Sequence, residues 1–211
     1  GKSTLARAIV KMVPADSGKV IWFGNDLLSL NKSEMRQHRK QIQMIFQDPL
    51  ASLNPRMNIG EIIAEPLRTH YPKTPESDVK ERVKDVMNKV GLLDNLVNRY
   101  PHEFSGGQRQ RIGIARTIAV QPQLIICDES VSALDISVQA QVLNLLNTLK
   151  EDYGFTYIFI SHDLSVVKFM SDQLMVMNKG KIEEIGEADS IYESPQKEYT
   201  KILIEAIPKG P

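Results

Sequence analysis

The sequence contains little cysteine and no long apolar run. Cys127 is the single cysteine in 211 residues. One cysteine forms neither an internal disulfide nor a four-cysteine zinc site, which fits a reducing compartment. The apolar runs, such as residues 124–127 and 155–160, are far shorter than the roughly 20 residues that cross a bilayer. The sequence therefore predicts no disulfide framework and no membrane-spanning segment.

An excess of charge of either sign is also missing. The 26 Lys and Arg residues balance the 26 Asp and Glu residues, so the formal net charge is zero. Duplex-binding proteins and polybasic membrane-surface proteins usually carry a basic surplus, so the balance weakens both classes without excluding local patches. The hydrophobic fraction of 42% and the charged fraction of 25% are ordinary globular values. This length suits one large domain or two small ones.

Short β-rich runs alternate with helical patterns along most of the chain. Val79, Val83 and Val86 recur at helical spacing, whereas the compact apolar run at residues 123–127 is typical of a buried strand. The alternation predicts a mostly parallel sheet covered by helices. Helical patterns dominate between residues 50 and 120, and the sequence predicts a helical subdomain there.

Residues Gly1, Lys2, Ser3 and Thr4 match the end of the phosphate-binding pattern G-x-x-x-x-G-K-[ST]. A helical pattern follows at once, and the start of a helix favours a bound anion. In this pattern Lys2 reaches the phosphates and the Ser3 hydroxyl binds Mg²⁺. Four residues of this kind also arise by chance at helix starts, so the segment alone is a weak signal.

Two acidic residues, Asp128 and Glu129, end the apolar run that starts at Leu124. Open α/β sheets bind ligands at the carboxyl ends of their strands. Asp128 suits a Mg²⁺ contact, and Glu129 suits the acceptance of a proton from an attacking water. The simpler interpretation is two solvated acids. Their occurrence together with Gly1 to Thr4 favours a nucleotide site.

The string Ser105-Gly106-Gly107-Gln108 is the most specific local signal. Two glycines allow backbone N–H groups to approach an anion closely. The helix expected over residues 108–119 adds the positive end of its dipole. A plain loop-to-helix junction explains two glycines but does not explain the whole string.

Taken together, these segments resemble the ATP-binding-cassette (ABC) ATPases. Ser105 to Gln108 resembles the signature motif of that family, Gly1 to Thr4 the end of its Walker A loop, and residues 124–129 its Walker B strand. Three further motifs resemble the Q-loop at Gln47, the D-loop ending at Asp135 and the H-loop at His162. Six motifs in the family order span nearly the whole chain.

The resemblance implies a fold and a domain organisation. The expected fold is an α/β P-loop NTPase of the RecA-like type, with a parallel-sheet core and an inserted α-helical subdomain. Residues 1–211 form one ABC ATPase domain. Within it, residues 50–120 form the helical subdomain with the signature, and residues 1–49 and 121–211 form the nucleotide-binding core. Because the family places strands before the position of Gly1, we expect a domain truncated at its N-terminus.

The resemblance also assigns roles to residues, with ATP and Mg²⁺ as cofactors. ATP would lie between Gly1 to Thr4 of one subunit and Ser105 to Gln108 of a second. The expected catalytic residues are Glu129 as general base, His162 on the γ-phosphate, and Gln47 as the reporter of bound ATP. The expected metal contacts are Ser3, Gln47 and Asp128.

A narrower resemblance points to the ATPase subunits of dipeptide and oligopeptide importers. It rests on residues 46–56 and on residues 100–104 before the signature. It implies ATP hydrolysis coupled to peptide uptake, at the cytoplasmic face of the membrane. The implied partners are an identical or homologous second ATPase, membrane permease subunits and, indirectly, a substrate-binding protein, with no nucleic acid. The run Lys197-Glu198-Tyr199-Thr200 replaces the His-Pro-Tyr-Thr of many members, which blurs the substrate class.

Two alternatives stay open from the sequence. A soluble ABC ATPase of translation or DNA repair is disfavoured by the neutral charge and by the short interval between Gln47 and Ser105. A non-hydrolysing module is disfavoured because Lys2, Asp128 and Glu129 are all present.

Overall fold

The computed structural model describes residues 1–207, so the last four residues of the predicted core segment 121–211 lie outside the described residues. The chain divides into two compact units, each of which is described by itself. Residues 1–28 and 159–211 form the first unit, and residues 29–158 form the second. The predicted helical subdomain at residues 50–120 falls inside the second unit, and its boundaries stay a prediction.

The elements of the second unit alternate as the sequence predicts. In chain order they are α2 (Lys32–Arg39), β3 (Ile42–Ile45), α3 (Pro49–Ser52), α4 (Ile59–His70), α5 (Glu76–Lys89), α6 (Gly106–Ile118), β4 (Leu124–Asp128), α7 (Ile136–Tyr153) and the start of β5 (Thr156–Ile160). Short 3₁₀ turns lie at Asp94–Leu96 and Pro101–Glu103.

A parallel sheet forms the centre of this unit. Strands β3 and β4 run parallel, in a register that pairs Ile42 with Leu124 and Ile45 with Cys127, and the strand order is β3-β4-β5. Every residue of β4 is buried. An apolar run without alternation requires cover on both faces, so the burial of β4 agrees with a strand in the middle of an α/β sheet.

The helical part of the second unit packs through the apolar faces that the sequence predicts. Val79, Val83 and Val86 of α5 are all buried, at the helical spacing read from the sequence. Helix α4 begins with a capping box, in which Asn58 and Glu61 accept each other's backbone N–H groups. These features fix where α4 begins and which side of α5 faces the core.

The first unit contains shorter elements. They are α1 (Lys2–Ile9), β1 (Ile21–Trp22), β2 (Asn25–Asp26), a 3₁₀ turn (Leu27–Ser29) whose last residue falls in the second unit, the end of β5, α8 (Leu164–Met170), β6 (Gln173–Asn178), β7 (Lys181–Glu187), α9 (Ala188–Glu193) and α10 (Glu198–Glu205). Strands β6 and β7 form an antiparallel hairpin. Its tight turn has positive φ at Lys179 and Gly180, the geometry of a type I′ turn.

A small apolar core holds the hairpin to the helices around it. Leu174 and Val176 of β6 are buried together with Val167 of α8 and with Ala188 and Ile191 of α9. Across the described part of the chain, no helix is both long and apolar enough to cross a membrane.

Candidate functional site

The acidic pair predicted from the sequence lies at the carboxyl end of β4. Asp128 is the last strand residue and is buried, with 2% of its surface exposed. The preceding Cys127 is fully buried, and burial raises the pKa of its thiol to about 12. Such a thiol stays protonated at neutral pH, so Cys127 is a packing residue and Asp128 carries the polar chemistry of this strand end.

Gln47 and Glu129 meet at this edge of the sheet. Because Ile45 pairs with Cys127 in parallel register, the chain leaves both strands on the same side. The Gln47 Nε2 donates a hydrogen bond to the Glu129 Oε2 at 3.3 Å. Two residues that are 82 positions apart in sequence are therefore brought into contact.

Glu129 has a strained backbone. Its φ is +49°, in the left-handed region that residues other than glycine and asparagine rarely adopt. The turn that follows holds it in place, since the Ser132 Oγ donates to the Glu129 carbonyl oxygen at 2.9 Å. Strain of this kind persists only where the surroundings impose it, and it concentrates at functional sites.

Asp135, the predicted D-loop residue, occupies the N-cap position of α7. Its backbone is extended there, but its side chain does not cap the helix, and the residue is exposed. Asp135 is therefore an exposed residue at the start of a long helix, six residues after Glu129.

The signature string forms the start of α6. Ser105 is the N-cap: its Oγ accepts from the Gln108 backbone N–H at 3.3 Å, while the Gln108 Oε1 accepts from the Ser105 N–H at 3.0 Å. Gly106 and Gly107 are the first two helical residues, where N–H groups project beyond the helix end. The helix start expected at the signature string is thus present, and its binding of an anion stays a prediction.

The arginines of α6 have a structural role. Periodicity and charge are typical of a solvated basic face, yet these side chains bind backbone carbonyls. Arg109 donates to the Pro101 carbonyl, Arg111 to the Val90 carbonyl and Arg116 to the Ser52 carbonyl at 2.6 Å. Burial lowers the pKa of Arg116, which Glu65 partly offsets. The arginines tie α6 to three neighbouring segments, a role without a local sequence signal.

The predicted phosphate-binding residues lie in the first unit. Gly1 is the N-cap of α1, and its carbonyl accepts from the Leu5 N–H at 3.0 Å, so the helix forms directly after the glycine. Lys2 and Ser3 are half-buried and Thr4 is exposed. A Cβ at Gly1 would lie 3.4 Å from the Gly180 Cα, in the β6–β7 turn.

His162, the predicted H-loop residue, lies in the loop between β5 and α8 and is exposed. The loop is well ordered by local hydrogen bonds. The Ser161 Oγ accepts from the Asp163 N–H at 3.0 Å, and the Asp163 carboxylate caps α8 through the Ser165 N–H. His162 belongs to the first unit, as do Gly1 to Thr4, whereas Gln47 and Glu129 belong to the second.

The predicted Mg²⁺ contacts offer a hydroxyl, an amide and a carboxylate, which are the oxygen donors that Mg²⁺ prefers. Within residues 1–207, no group of three or more His, Cys, Asp or Glu side chains could hold a metal ion. Asp128 is the single carboxylate among these predicted contacts, and such a set of donors suits an ion that takes its remaining ligands from phosphates and water.

A family model identifies the family to which the chain belongs. The model described as "ABC transporter" matches residues 1–132, which is more than half of the chain. The chain belongs to the ABC transporter family. The expected fold class, an α/β P-loop NTPase with a parallel-sheet core, is confirmed by this match and by solved ABC structures.

The curated relatives of this ABC chain share much of its sequence. It is 62% identical to the "Oligopeptide transport ATP-binding protein OppF" of Salmonella typhimurium, over 99% of this chain and 62% of that protein. It is 47% identical to the "Dipeptide transport ATP-binding protein DppF" of Lactococcus lactis, over 99% of this chain and 67% of that protein. The chain spans about 62% of the length of the OppF proteins of Salmonella typhimurium and Escherichia coli.

Solved ABC structures share the fold. The ATP-binding cassette MJ0796, in a dimeric post-hydrolysis state with ADP and Pi, is 27% identical, with a TM-score of 0.79 over 89% of this chain and 81% of that chain. The cbiO1 protein of Clostridium perfringens, at 24% identity, has a TM-score of 0.81 over 92% of this chain and 75% of its own, and shows the fold alone.

Proposed function

We propose that the chain is the ATP-hydrolysing part of an ABC importer that takes up peptides. The observation that carries the proposal is the contact between Gln47 and Glu129 beside the buried Asp128, at the carboxyl end of two parallel strands. The printed names of the relatives, oligopeptide and dipeptide transport ATP-binding proteins, support the substrate class.

ATP binds through the start of α1. The N–H groups of its first turn and the Lys2 ammonium neutralise the phosphate oxygens, since a helix N-terminus favours an anion. Ser3, Gln47 and Asp128 would hold Mg²⁺, and the ion would neutralise phosphate charge there. Asp128 suits this role because it ends a buried strand at the sheet edge where α/β proteins bind ligands, and because Mg²⁺ prefers carboxylate oxygens.

Glu129 is the general base of hydrolysis. Its carboxylate takes a proton from a water as the water oxygen forms a bond to the γ-phosphorus and the bond to the bridging oxygen of ADP breaks. The Gln47 Nε2, which donates to the same carboxylate, orients it towards the water. His162 donates to the γ-phosphate oxygens. The strained backbone of Glu129 supports the assignment, because it fixes the direction of the side chain.

A second subunit completes each site. Its Ser105 hydroxyl and the N–H groups of its Gly106 and Gly107 contact the γ-phosphate of ATP held by the first subunit, and its Gln108 keeps that helix start in shape. Asp135, exposed at the start of α7, lies on the same dimer face. The dimer is homo- or heteromeric. It closes on ATP and opens after hydrolysis.

Peptide uptake requires the ATPase to act on membrane permease subunits. The segment after Gln47, through α3 and the first turns of α4, grips a cytoplasmic loop of the permease within the proposed helical subdomain, residues 50–120. The rest of the domain, residues 1–49 and 121–211, binds the nucleotide. The protein is thus peripheral, on the cytoplasmic face of the membrane, and a substrate-binding protein acts on it only indirectly.

Glu129→Gln tests the general-base role. The glutamine keeps the size of the side chain and an oxygen that accepts from Gln47, but it cannot take a proton from water. We expect ATP hydrolysis to fall by about 100-fold or more. The complete protein that carries this sequence is purified with its permease partners, and phosphate release is measured at saturating ATP.

The same variant provides its own control for binding. ATP affinity stays at the wild-type value, and light scattering detects a dimer that persists with ATP because hydrolysis no longer opens it. A Glu129→Gln variant that hydrolyses ATP at the normal rate contradicts the role of Glu129.

The substrate class is tested in proteoliposomes that contain the complete transporter and its substrate-binding protein. We expect di- and oligopeptides, but not the corresponding free amino acids, to stimulate ATP hydrolysis. Association with ribosomes or DNA, and no response to peptides, would instead favour a soluble ABC ATPase of translation or DNA repair.

A further inference from the structure

The signature helix lies unusually close to α7. A Cβ built at Gly107 would lie 2.4 Å from the Val138 Cγ1 and 3.7 Å from its Cβ. Real Cβ atoms essentially never come this close to another heavy atom, and the Val138 side chain, stiff at χ1, is half-buried in this contact. Residue 107 is thus confined by a side chain of its own subunit.

Backbone conformation does not explain the glycine at position 107. Gly107 is the second residue of α6 and does not have a positive φ, unlike Gly91, Gly154 and Gly180 of the same chain. A glycine in a helix costs about 1 kcal/mol relative to alanine, because its unfolded backbone has more freedom. The close approach of Val138 supplies a physical reason to keep it.

Two further contacts join α6 to α7 and to the segment just before α7. A Cβ at Gly106 would lie 3.8 Å from the Leu134 Cδ2, an ordinary contact distance. One turn further along, the Arg111 Nη2 donates to the Gln141 Oε1 at 3.4 Å.

The spacing of these contacts matches helix geometry. Gly107 and Arg111 are four residues apart on α6, and Val138 and Gln141 are three apart on α7, so each pair shares one helix face. The first turn of α6 therefore packs against the first turn of α7, and the arginine holds the next turn in register.

We propose that Val138 is a positioning residue for the signature. Its side chain sets the distance at which the first turn of α6 packs against α7. This distance in turn sets the position of Ser105 and of the Gly106 and Gly107 N–H groups relative to the ATP of the other subunit. Residue 107 is glycine because Val138 occupies the space of a Cβ. The inference rests on the proposed function for its ligand and on the helix contact for its geometry.

The test is a double-mutant cycle in the complete protein, purified with its permease partners. Gly107→Ala places a Cβ against Val138, and we expect ATP hydrolysis to fall about tenfold or more, with a lower melting temperature. Val138→Ala removes both branches that the new Cβ would meet. In Gly107→Ala/Val138→Ala we expect hydrolysis to recover to within about threefold of Val138→Ala alone.

Two control variants separate positioning from stability. Val138→Thr keeps both branches at Cβ and leaves hydrolysis near the wild-type rate. Leu149→Ala opens a cavity in the core three turns further along α7, where Leu149 is 1% exposed. We expect Val138→Ala to lower kcat and to weaken ATP-dependent dimer formation at unchanged ATP affinity. We expect Leu149→Ala to lower the melting temperature without these two changes.

The outcomes are distinguishable. A double variant whose melting temperature does not recover overturns the contact. If the melting temperature recovers but hydrolysis does not, the positioning role of Val138 is overturned. Residue 107 is then glycine because the backbone there must come close to the phosphate. A wild-type protein that hydrolyses no ATP overturns the proposed function, while the melting temperatures still decide whether Val138 confines residue 107.

Discussion

Two helices of this chain, α1 and α6, have a glycine at or directly after the N-cap, and they differ in what completes the first turn. At α6, Ser105 and Gln108 satisfy each other's backbone N–H groups in a capping box. At α1, the N-cap is Gly1, which has no side chain to offer. Because the first N–H groups of any helix lack partners within the helix, the start of α1 depends on something outside the helix.

Under the proposed function, the starts of α1 and α6 are the two helix ends that contact ATP, and they differ in how their backbone N–H groups are satisfied. The start of α6 is shaped by its own side chains. Under that function, the first N–H groups of α1 find partners in the nucleotide. Under the proposed function, the stability of the first unit therefore responds to ATP. The signature keeps its form with or without ATP.

The largest expected effect comes from Lys2→Ala, at the ligand-dependent helix start. The variant loses a charge-assisted contact to phosphate, so we expect ATP affinity to fall about 100-fold. In the wild-type protein, ATP at 100 times its Kd stabilises the fold by about 2.7 kcal/mol, and this gain is lost in Lys2→Ala. Calorimetric titration and thermal unfolding with and without ATP measure both quantities.

Lys19→Ala is the matched control, since Lys19 is an exposed lysine of the same unit. It removes one positive charge and leaves the affinity unchanged. Equal losses of affinity in both variants would mean that general charge, and not the α1 start, holds the phosphates.

A smaller effect is expected at the capped helix. Ser105→Ala removes the N-cap oxygen and costs about 1 kcal/mol of stability. Ser105→Gly costs only a few tenths of a kcal/mol at an N-cap, although it removes the same hydroxyl. If the hydroxyl also contacts ATP, both variants lose about tenfold in hydrolysis while only Ser105→Ala loses much stability.

Asn31→Ala is the control for the cap alone. Asn31 caps α2 in the same type of capping box, and no nucleotide role is assigned to it. We expect it to lower the melting temperature about as much as Ser105→Ala, with normal hydrolysis. Normal hydrolysis in Ser105→Gly would show that the signature serine is a cap and nothing more.

Much of the fold could be predicted because burial follows periodicity. The buried strand at Leu124–Asp128 ends one residue later than the apolar run that indicates it. The first strand contains only Ile21 and Trp22, because pairing with Asn25 and Asp26 across a tight turn leaves room for two residues. Turn geometry, not composition, limits that strand.

The candidate site could be predicted only in part. The contact of Gln47 with Glu129 spans 82 positions, so no local pattern contains it. The carbonyl partners of Arg111 and Arg116 and the positive φ of Glu129 depend on packing between elements that periodicity does not describe. The roles that combine Lys2 or His162 with the second unit stay predictions.

A third helix end has no role in the proposed nucleotide site. At the C-terminal end of α4, the Arg36 Nη2 donates to the Thr69 carbonyl at 3.2 Å, and the Lys40 ammonium lies 5.5 Å from the centre of the Tyr71 ring. His70 lies between Thr69 and Tyr71 in the sequence and is half-buried. Burial lowers its pKa first, and the positive charges of Arg36, Lys40 and Arg39 lower it further.

The smallest expected effect is therefore a pH dependence at His70 that owes nothing to nucleotide. Because its pKa is lowered in the folded state, the unfolded chain binds the proton more readily, and acid favours unfolding. The contribution of His70 to folding stability is complete above its unfolded pKa of about 6.5. It decreases as the pH falls from there towards the lowered pKa of the folded state. Thermal unfolding at pH 7.5 and 5.5, without ATP, should show a smaller acid loss in His70→Gln than in the wild-type protein. An equal loss in both would mean that α2 and the end of α4 do not sense the proton.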